Sequence, residues 1–168
     1  MFDLYLKTIR QELESRNLVE LHPLKVGEYK TFLRNTVKQL IERGQGAEKY
    51  LSRVLDNIFR DVDLLVRLRI VKTALGASIA GESVDSELLR YVEKIVEFSA
   101  KYLAGVLVER EGHIAVKFLK NCSVDGRKYK RGDVTSLTMS NALIMFLKGC
   151  VDPVPEVFMY TLHTARSE

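Results

Sequence analysis

The chain has 168 residues, of which 46% are hydrophobic and 29% are charged, and its formal net charge is +4. This length allows one or two domains with a packed core, and no window approaches the roughly 18 uncharged apolar residues of a membrane span. A mild positive charge permits contact with nucleic acid without arguing for it, because dedicated binders concentrate more charge on one surface. The first residues carry charge throughout and lack the apolar stretch of a signal peptide, so we expect a soluble cytoplasmic protein.

The chain has two cysteines, Cys122 and Cys150, and three histidines, His22, His113 and His163. The histidines stand singly, and no pair of residues has the spacing of zinc ligands. We therefore expect no metal site and no cofactor. The favoured interpretation of the cysteines is two buried thiols. A disulfide is the alternative, because some thermophilic intracellular proteins form them.

Helical periodicity dominates the first part of the chain. Apolar residues at spacings of three and four predict a first helix that ends near residue 16, a second over about 25–43 and a fourth over about 84–106. The apolar stripe of the first helix consists of Phe2, Tyr5, Leu6, Ile9 and Leu13. Ser83 is expected to cap the fourth helix. We predict an all-α bundle over residues 1–108.

The third predicted helix is the longest, from about Ala47 towards Ala80, which corresponds to roughly 50 Å. Its second half is apolar nearly all round, so we expect it to be covered on several sides. On its charged side, Asp56 with Arg60 and Asp63 with Arg67 each have the i,i+4 spacing of a solvated ion pair.

The helical period disappears at residues 109–112, which we expect to be a linker. The alternation that begins at His113 predicts a strand with Ile114, Val116 and Phe118 on one face. The remaining elements of this module are an Asp125-Gly126 hairpin, a turn at 130–133, a strand at 134–137, a helix over 141–148 capped by Thr138 or Ser140 and ended by Gly149, and a last strand at 157–160. The predicted fold is α+β, an all-α bundle followed by a small β-rich domain over 113–168. A module of this size is expected to lean on another surface.

The densest positive charge lies in Arg127, Lys128, Lys130 and Arg131. These side chains are candidates for contact with a partner or with phosphates, and phosphate contacts would be sensitive to salt. Tyr129 lies between them and could stack on a base. Strand alternation instead favours Tyr129 as an inward-facing hydrophobic anchor, so nucleic-acid contact is the alternative interpretation.

Catalytic patterns are missing from the sequence. It offers no nucleophile in a known catalytic context, no Ser/His/Asp set and no phosphate-binding glycine loop. We therefore expect no catalytic residues and no enzymatic activity.

Two segments carry a further pattern. The third predicted helix contains Arg67, Arg69, Ile70 and Lys72. The C-terminal module contributes hairpin, turn and helix-start residues, namely Asp125, Gly126, Tyr129, Gly132, Asp133, Asn141, Ala142 and Gly149. Together these segments resemble the archaeal GINS subunits, in the type whose α-helical domain precedes the small β domain. The helix segment is similar to that family's Arg-x-Arg-Lys-Ile motif, with its lysine two positions late.

This resemblance implies a non-enzymatic scaffold subunit of a replisome hetero-tetramer in DNA replication, associated with the nucleoid of an archaeal cell. The implied partners are another copy of the chain, a second GINS subunit of permuted domain order, the MCM helicase and a RecJ-like protein. Primase or polymerase are further candidate partners. Such a scaffold has weak or no intrinsic DNA affinity. The alternative is a nucleic-acid-binding protein that uses the basic β module.

Overall fold

A computed structural model describes residues 4–42, 47–78 and 81–155 of the chain. Its contacts divide the chain into two compact units, Met1–Glu93 and Lys94–Glu168. Helices come first and small antiparallel sheets follow, which confirms the predicted α+β order. In the described residues, no helix is both long enough and apolar enough to cross a membrane.

The first unit is built from helices that pack around α3. The four helices of the N-terminal part are α1 (Leu4–Glu14), α2 (Pro23–Glu42), α3 (Ala47–Ala74) and α4 (Ser86–Leu103). α3 packs against both α1 and α2. Tyr29 of α2 is buried, and the ring of Tyr5 meets it edge to face with centroids 4.7 Å apart. This contact packs the first turn of α1 against α2.

The inward side of α1 differs from the predicted stripe. Thr8, Ile9 and Glu12 are buried, whereas Leu13 is 67% exposed. Assigning Leu13 to the apolar side was therefore wrong, because the helix turns a carboxylate inward at the position before it. Phe2, the first residue of the predicted stripe, lies outside the described residues.

α3 ends earlier than its apolar run predicts. The helix stops at Ala74, and Gly76 follows with a positive φ of 88°. The Gly76 N–H donates to the Thr73 carbonyl and the Ala77 N–H to the Lys72 carbonyl, both at 2.9 Å. These bonds satisfy the last carbonyls of the helix, and the left-handed conformation they need favours glycine. The predicted continuation towards Ala80 is wrong for residues 75–78, and residues 79–80 lie outside the description.

α4 also begins and ends inside its predicted range. The Leu89 N–H donates to the carbonyl of Asp85 at 2.9 Å, so Asp85 takes the capping position that had been predicted for Ser83. Ser83 is buried instead and binds other partners. The helix ends at Leu103, three residues before the predicted end at Val106.

The second unit is organised by a central strand. Its elements are β1 (Glu109–Arg110), β2 (His113–Phe118), β3 (Cys122–Val124), β4 (Arg127–Tyr129), β5 (Val134–Thr138), α5 (Met139–Leu147) and β6 (Val151–Pro153). β5 pairs antiparallel with β2 from His113 to Lys117, while β1 pairs with the start of β2 and β6 with its end. β3 and β4 form a separate hairpin. The two residues of β1 belong to the segment expected as a linker.

The core of the second unit follows the predicted alternation. Ile114, Val116 and Phe118 are buried on one face of β2. Phe98 of α4 joins this core, with its ring centroid 5.5 Å from that of Phe146 in α5. The strands thus pack against the second half of α4, in agreement with the expectation that a module of this size needs another surface to pack on. The last predicted strand, at 157–160, lies outside the described residues.

Cys122 and Cys150 form a disulfide, with their Cα atoms 6.3 Å apart. The favoured prediction of two free thiols is therefore wrong. The Leu119 N–H donates to the Cys150 carbonyl at 2.8 Å, which places the end of β2 beside the residue that precedes β6. This pairing of β2 with β6 was not predicted, so the proximity of the two cysteines could not be read from the sequence.

We expect reduction of this disulfide to lower the free energy of unfolding of the second unit by about 3 kcal/mol, because it removes a cross-link that closes a 28-residue separation. Thermal unfolding of the full chain with and without reductant measures the change. The double variant Cys122→Ala/Cys150→Ala is the control, and its stability should not respond to reductant. An unchanged transition in the wild-type chain would contradict the prediction.

Candidate functional site

The residues predicted as functional lie in two separate places. The helix motif is on α3 in the first unit, and the basic cluster with the β-domain motif is in the second unit. Each group is therefore described by itself.

Arg69 lies at the centre of a buried polar group in the first unit, with a side chain only 1% exposed. Its Nε and Nη2 donate to the two carboxylate oxygens of Asp85 at 2.7 and 2.9 Å. Its Nη1 donates to Glu12 Oε1 and, at 2.6 Å, to the carbonyl of Val19. Nη2 also donates to Ser83 Oγ at 3.0 Å. This planar fork suits arginine, because lysine cannot make a bidentate contact of this kind.

Lys72, one turn further along α3, neutralises the same acidic residue from the other side. Its Nζ donates to Glu12 Oε2 at 2.7 Å and to the carbonyls of Glu12, Ser15 and Asn17 at 2.7–3.0 Å. Glu12 Oε1 also accepts from the Val19 N–H at 2.9 Å. Lys72 therefore closes the end of α1 and the segment that follows it onto α3.

Ser83 and Asp85 bring the turn before α4 into the same cluster. Ser83 Oγ donates to Asp85 Oδ1 at 2.6 Å and accepts from the Leu21 N–H at 3.2 Å. Burial alone would raise the pKa of Asp85, but the hydrogen bonds from Arg69 and Ser83 and the arginine's charge outweigh it and lower that pKa. Asp85 thus stays ionised beside Arg69. We call these five residues, Glu12, Arg69, Lys72, Ser83 and Asp85, the Arg69 network.

The Arg69 network holds two cationic and two anionic side chains, so its formal charge is balanced. Its donors and acceptors bond mainly to one another and to the backbone between α1 and α2. A buried charge that is paired in this way fixes a conformation, and it has no free donor to offer a ligand. The network therefore joins α1, the segment after it, α3 and the start of α4.

The helix motif divides between two environments. Arg69 and Lys72 belong to the network, whereas Arg67 is 74% exposed and donates to Asp63 at 2.7 Å. This Asp63–Arg67 pair is one of the two ion pairs that the spacing predicts. The other prediction is wrong, because Asp56 and Arg60 form no ion pair in the described residues. Ile70 is half-buried. The sequence did not identify Glu12 or the bonding role of Ser83, although a glutamate within the amphipathic α1 was an available signal.

We expect Arg69→Met to lower the free energy of unfolding by about 3–5 kcal/mol, because it leaves Glu12 and Asp85 buried with a missing partner. Urea unfolding followed by circular dichroism measures the change. The matched control is Arg67→Met on the same helix, whose exposed ion pair is screened by solvent and should contribute far less to stability. Equal effects of the two substitutions would show that the buried network is not a major source of stability.

In the second unit, the basic cluster lies on one hairpin. Arg127 and Lys128 are in β4, Lys130 and Arg131 follow in the next turn, and all four side chains are exposed. Within residues 4–42, 47–78 and 81–155, none of the four has a carboxylate within ion-pair distance. Their charged groups are therefore open to solvent and are not engaged in ion pairs there.

Two turns hold the cluster in place. Asp125 and Gly126 have φ values of 49° and 78°, the left-handed conformation of a type I′ hairpin turn. The Asn141 Nδ2 donates to Asp125 Oδ2 at 2.8 Å and fixes that turn against α5. In the next turn the Lys130 N–H donates to Asp133 Oδ2 at 2.7 Å. The polar residues of the β-domain motif are therefore used to position the hairpin.

The other residues of that motif are structural as well. Tyr129 stacks on Phe118 with ring centroids 4.5 Å apart and planes at 6°, which matches its interpretation as a hydrophobic anchor. Ala142 is fully buried. Gly132 and Gly149 both have positive φ, at the turn before β5 and after α5. Thr138 caps α5, since its side chain accepts from the Asn141 N–H.

An apolar surface is exposed at the start of α4. Val84, Leu88 and Tyr91 recur at spacings of four and three, so they share one side of the helix and its preceding turn. Each is between 39% and 52% exposed. We call these three residues the α4 patch. Side chains of this kind at helical spacing are typical of a surface that another element covers.

No known family model matches this chain, and no curated protein sequence matches it. In the part of the chain that the structure describes, no group of three or more His, Cys, Asp or Glu side chains is arranged to hold a metal ion.

Proposed function

We propose that this chain is a non-enzymatic structural subunit of a GINS-like tetramer in DNA replication. In this role it combines with a second subunit of permuted domain order, and the assembly bridges the MCM helicase and a RecJ-like protein. The residue resemblance and the helices-first order support this proposal. Primase or polymerase are further candidate partners of the same assembly.

The environment of the family-like helix motif supports a structural role. Arg69 and Lys72 form ion pairs with Glu12 and Asp85 inside the first unit. A motif buried in this way defines how the helices pack. It therefore explains why a scaffold subunit would need these residue types without any substrate or ligand.

The observation that carries the proposal is the α4 patch. Burial of apolar surface against a partner stabilises a complex by about 25 cal/mol for each Å² removed from water. A set of exposed apolar side chains on one side of a helix therefore favours association. The second half of α3 adds exposed Leu64 and Val71 to the same unit, and Leu75, directly after the helix, is exposed as well. This helix had been expected to be covered on several sides. An assembly subunit obtains that cover from its partners.

The test is to purify the tagged chain from its native cells and to analyse the recovered complex by native mass spectrometry. The proposal predicts a tetramer with a second small subunit, together with the MCM helicase or a RecJ-like protein. Leu88→Asp should lower recovery of the second subunit at least about tenfold, because it places a charge in the contact.

The matched control is Ile41→Asp, the same kind of change at an exposed apolar residue of α2. It should recover the complex as the wild-type chain does. Recovery of the wild-type chain as a free monomer, or without any replication protein, would contradict the proposal.

A second candidate function is binding of nucleic acid through the basic cluster. The specific observation is that Arg127, Lys128, Lys130 and Arg131 are exposed together and form no ion pair within the described residues. Four such cations can each contact a phosphate. Tyr129 offers less to a base, because one face of its ring is stacked on Phe118.

This candidate predicts measurable binding of single-stranded DNA whose logarithmic affinity falls with the logarithm of salt concentration at a slope of about −3. Fluorescence anisotropy at several salt concentrations measures that slope. Lys128→Glu/Lys130→Glu/Arg131→Glu should abolish binding, and Lys25→Glu/Lys30→Glu/Lys38→Glu on α2 is the matched control for net charge. Binding that survives the first variant, or that ignores salt, would exclude the basic cluster.

A further inference from the structure

One side of α3 carries a stripe of alternating charges. Asp56, Arg60, Asp63 and Arg67 follow one another at spacings of four, three and four, which places them on one side of the helix. All four are exposed. Only the second half is paired within the described chain, where Arg67 donates to Asp63. Asp56 and Arg60 have the same spacing and form no such ion pair there. We call these four residues the α3 charge stripe.

The α3 charge stripe is complementary to itself when one copy is reversed. An antiparallel second helix, centred between Asp61 and Val62, places Arg67 of that copy opposite Asp56 and places Asp63 of that copy opposite Arg60. The two-fold symmetry repeats both contacts, so every charge of the stripe faces an opposite charge. A parallel copy in register would place like charges together, which is repulsive. The charge pattern therefore favours a second copy of α3 in the antiparallel direction.

An apolar pair adjoins the stripe with nearly the same centre. Phe59 and Val66 are seven residues apart on one side of α3, and both are exposed, Phe59 by 70%. Their midpoint falls between Val62 and Asp63, within one residue of the centre of the charge stripe. In the same antiparallel arrangement, Phe59 of one copy lies level with position 64 of the other, two residues (about 3 Å along the helix) from Val66 and within reach of its side chain. The apolar contact and the charge pairing thus favour nearly the same register.

We propose that α3 pairs antiparallel with α3 of a second copy of this chain. The Phe59 and Val66 side chains form the apolar seam, and the α3 charge stripe lies along its flank. This contact is isologous, because the same surface serves both copies. The proposal rests on the proposed function in one respect, the role of the chain as a subunit of an assembly. It adds the surface through which two copies meet, which is separate from the α4 patch.

Analytical ultracentrifugation of the full chain tests this pairing. At low salt, the wild-type chain should sediment as a species of twice its 19.2 kDa mass, and high salt should weaken the association. Arg60→Asp turns two symmetric attractions into repulsions, so it should raise the dimer dissociation constant about tenfold or more. The swapped variant Arg60→Asp/Asp63→Arg restores opposite charges between the copies and should recover wild-type dimerisation.

The swap separates pairing between copies from effects within one helix. Within one chain it leaves Asp56 beside an aspartate and Arg67 beside an arginine, so recovery can only come from the second copy. Arg53→Asp is the matched control, because Arg53 is exposed on the same helix and faces no charge in the proposed register. It should dimerise as the wild-type chain does.

A monomeric wild-type chain at concentrations of tens of micromolar would overturn the proposal. So would equal effects of Arg60→Asp and Arg53→Asp, or a swapped variant no better than Arg60→Asp. A chain that remains monomeric and still recovers the second subunit would overturn the α3 pairing and leave the proposed function standing.

Discussion

The first unit depends on one buried guanidinium. Arg69 lies between Glu12 and Asp85, and its bonds reach residues from α1, the segment after it, α3 and the turn before α4. A buried cation is costly unless its partners are all in place, so these four pieces of chain can pack only in one arrangement. Lys72 completes the charge balance at Glu12. The exposed surfaces of the unit are positioned because this interior contact fixes the helices beneath them.

The second unit depends on a different kind of constraint. β2 is paired along both of its edges, and the disulfide ties the hairpin strand β3 to the start of β6. The basic cluster projects from that hairpin, whose turns are held by Asp125 and Asp133. A charged surface on a rigid hairpin suits recognition of a partner. In both units, most residues of the two motifs form internal contacts, and the exposed surfaces lie beside them.

The local elements were predictable where a short pattern determines them. The Asp125-Gly126 turn and the alternation of β2 follow from backbone preference and burial, which act within a few residues. Contacts distant in sequence were not predictable. Glu12 faces inward because Arg69 and Lys72 bind its carboxylate, and these two partners lie 57 and 60 residues further along the chain. Cys122 pairs with Cys150 because β6 returns to β2. Arg69 was singled out by resemblance, but its role became clear only from the partners that surround it.

The interior network is complete within the described residues, whereas we propose that a partner covers the α4 patch. Hydrogen–deuterium exchange of the chain alone and within its purified assembly measures both statements at once. We expect the amides of α4 to exchange at least about tenfold more slowly in the assembly. The Val19 amide, which donates to Glu12, should exchange at the same rate in both samples. Equal exchange of α4 in the two samples, or slowing confined to the network, would contradict the account.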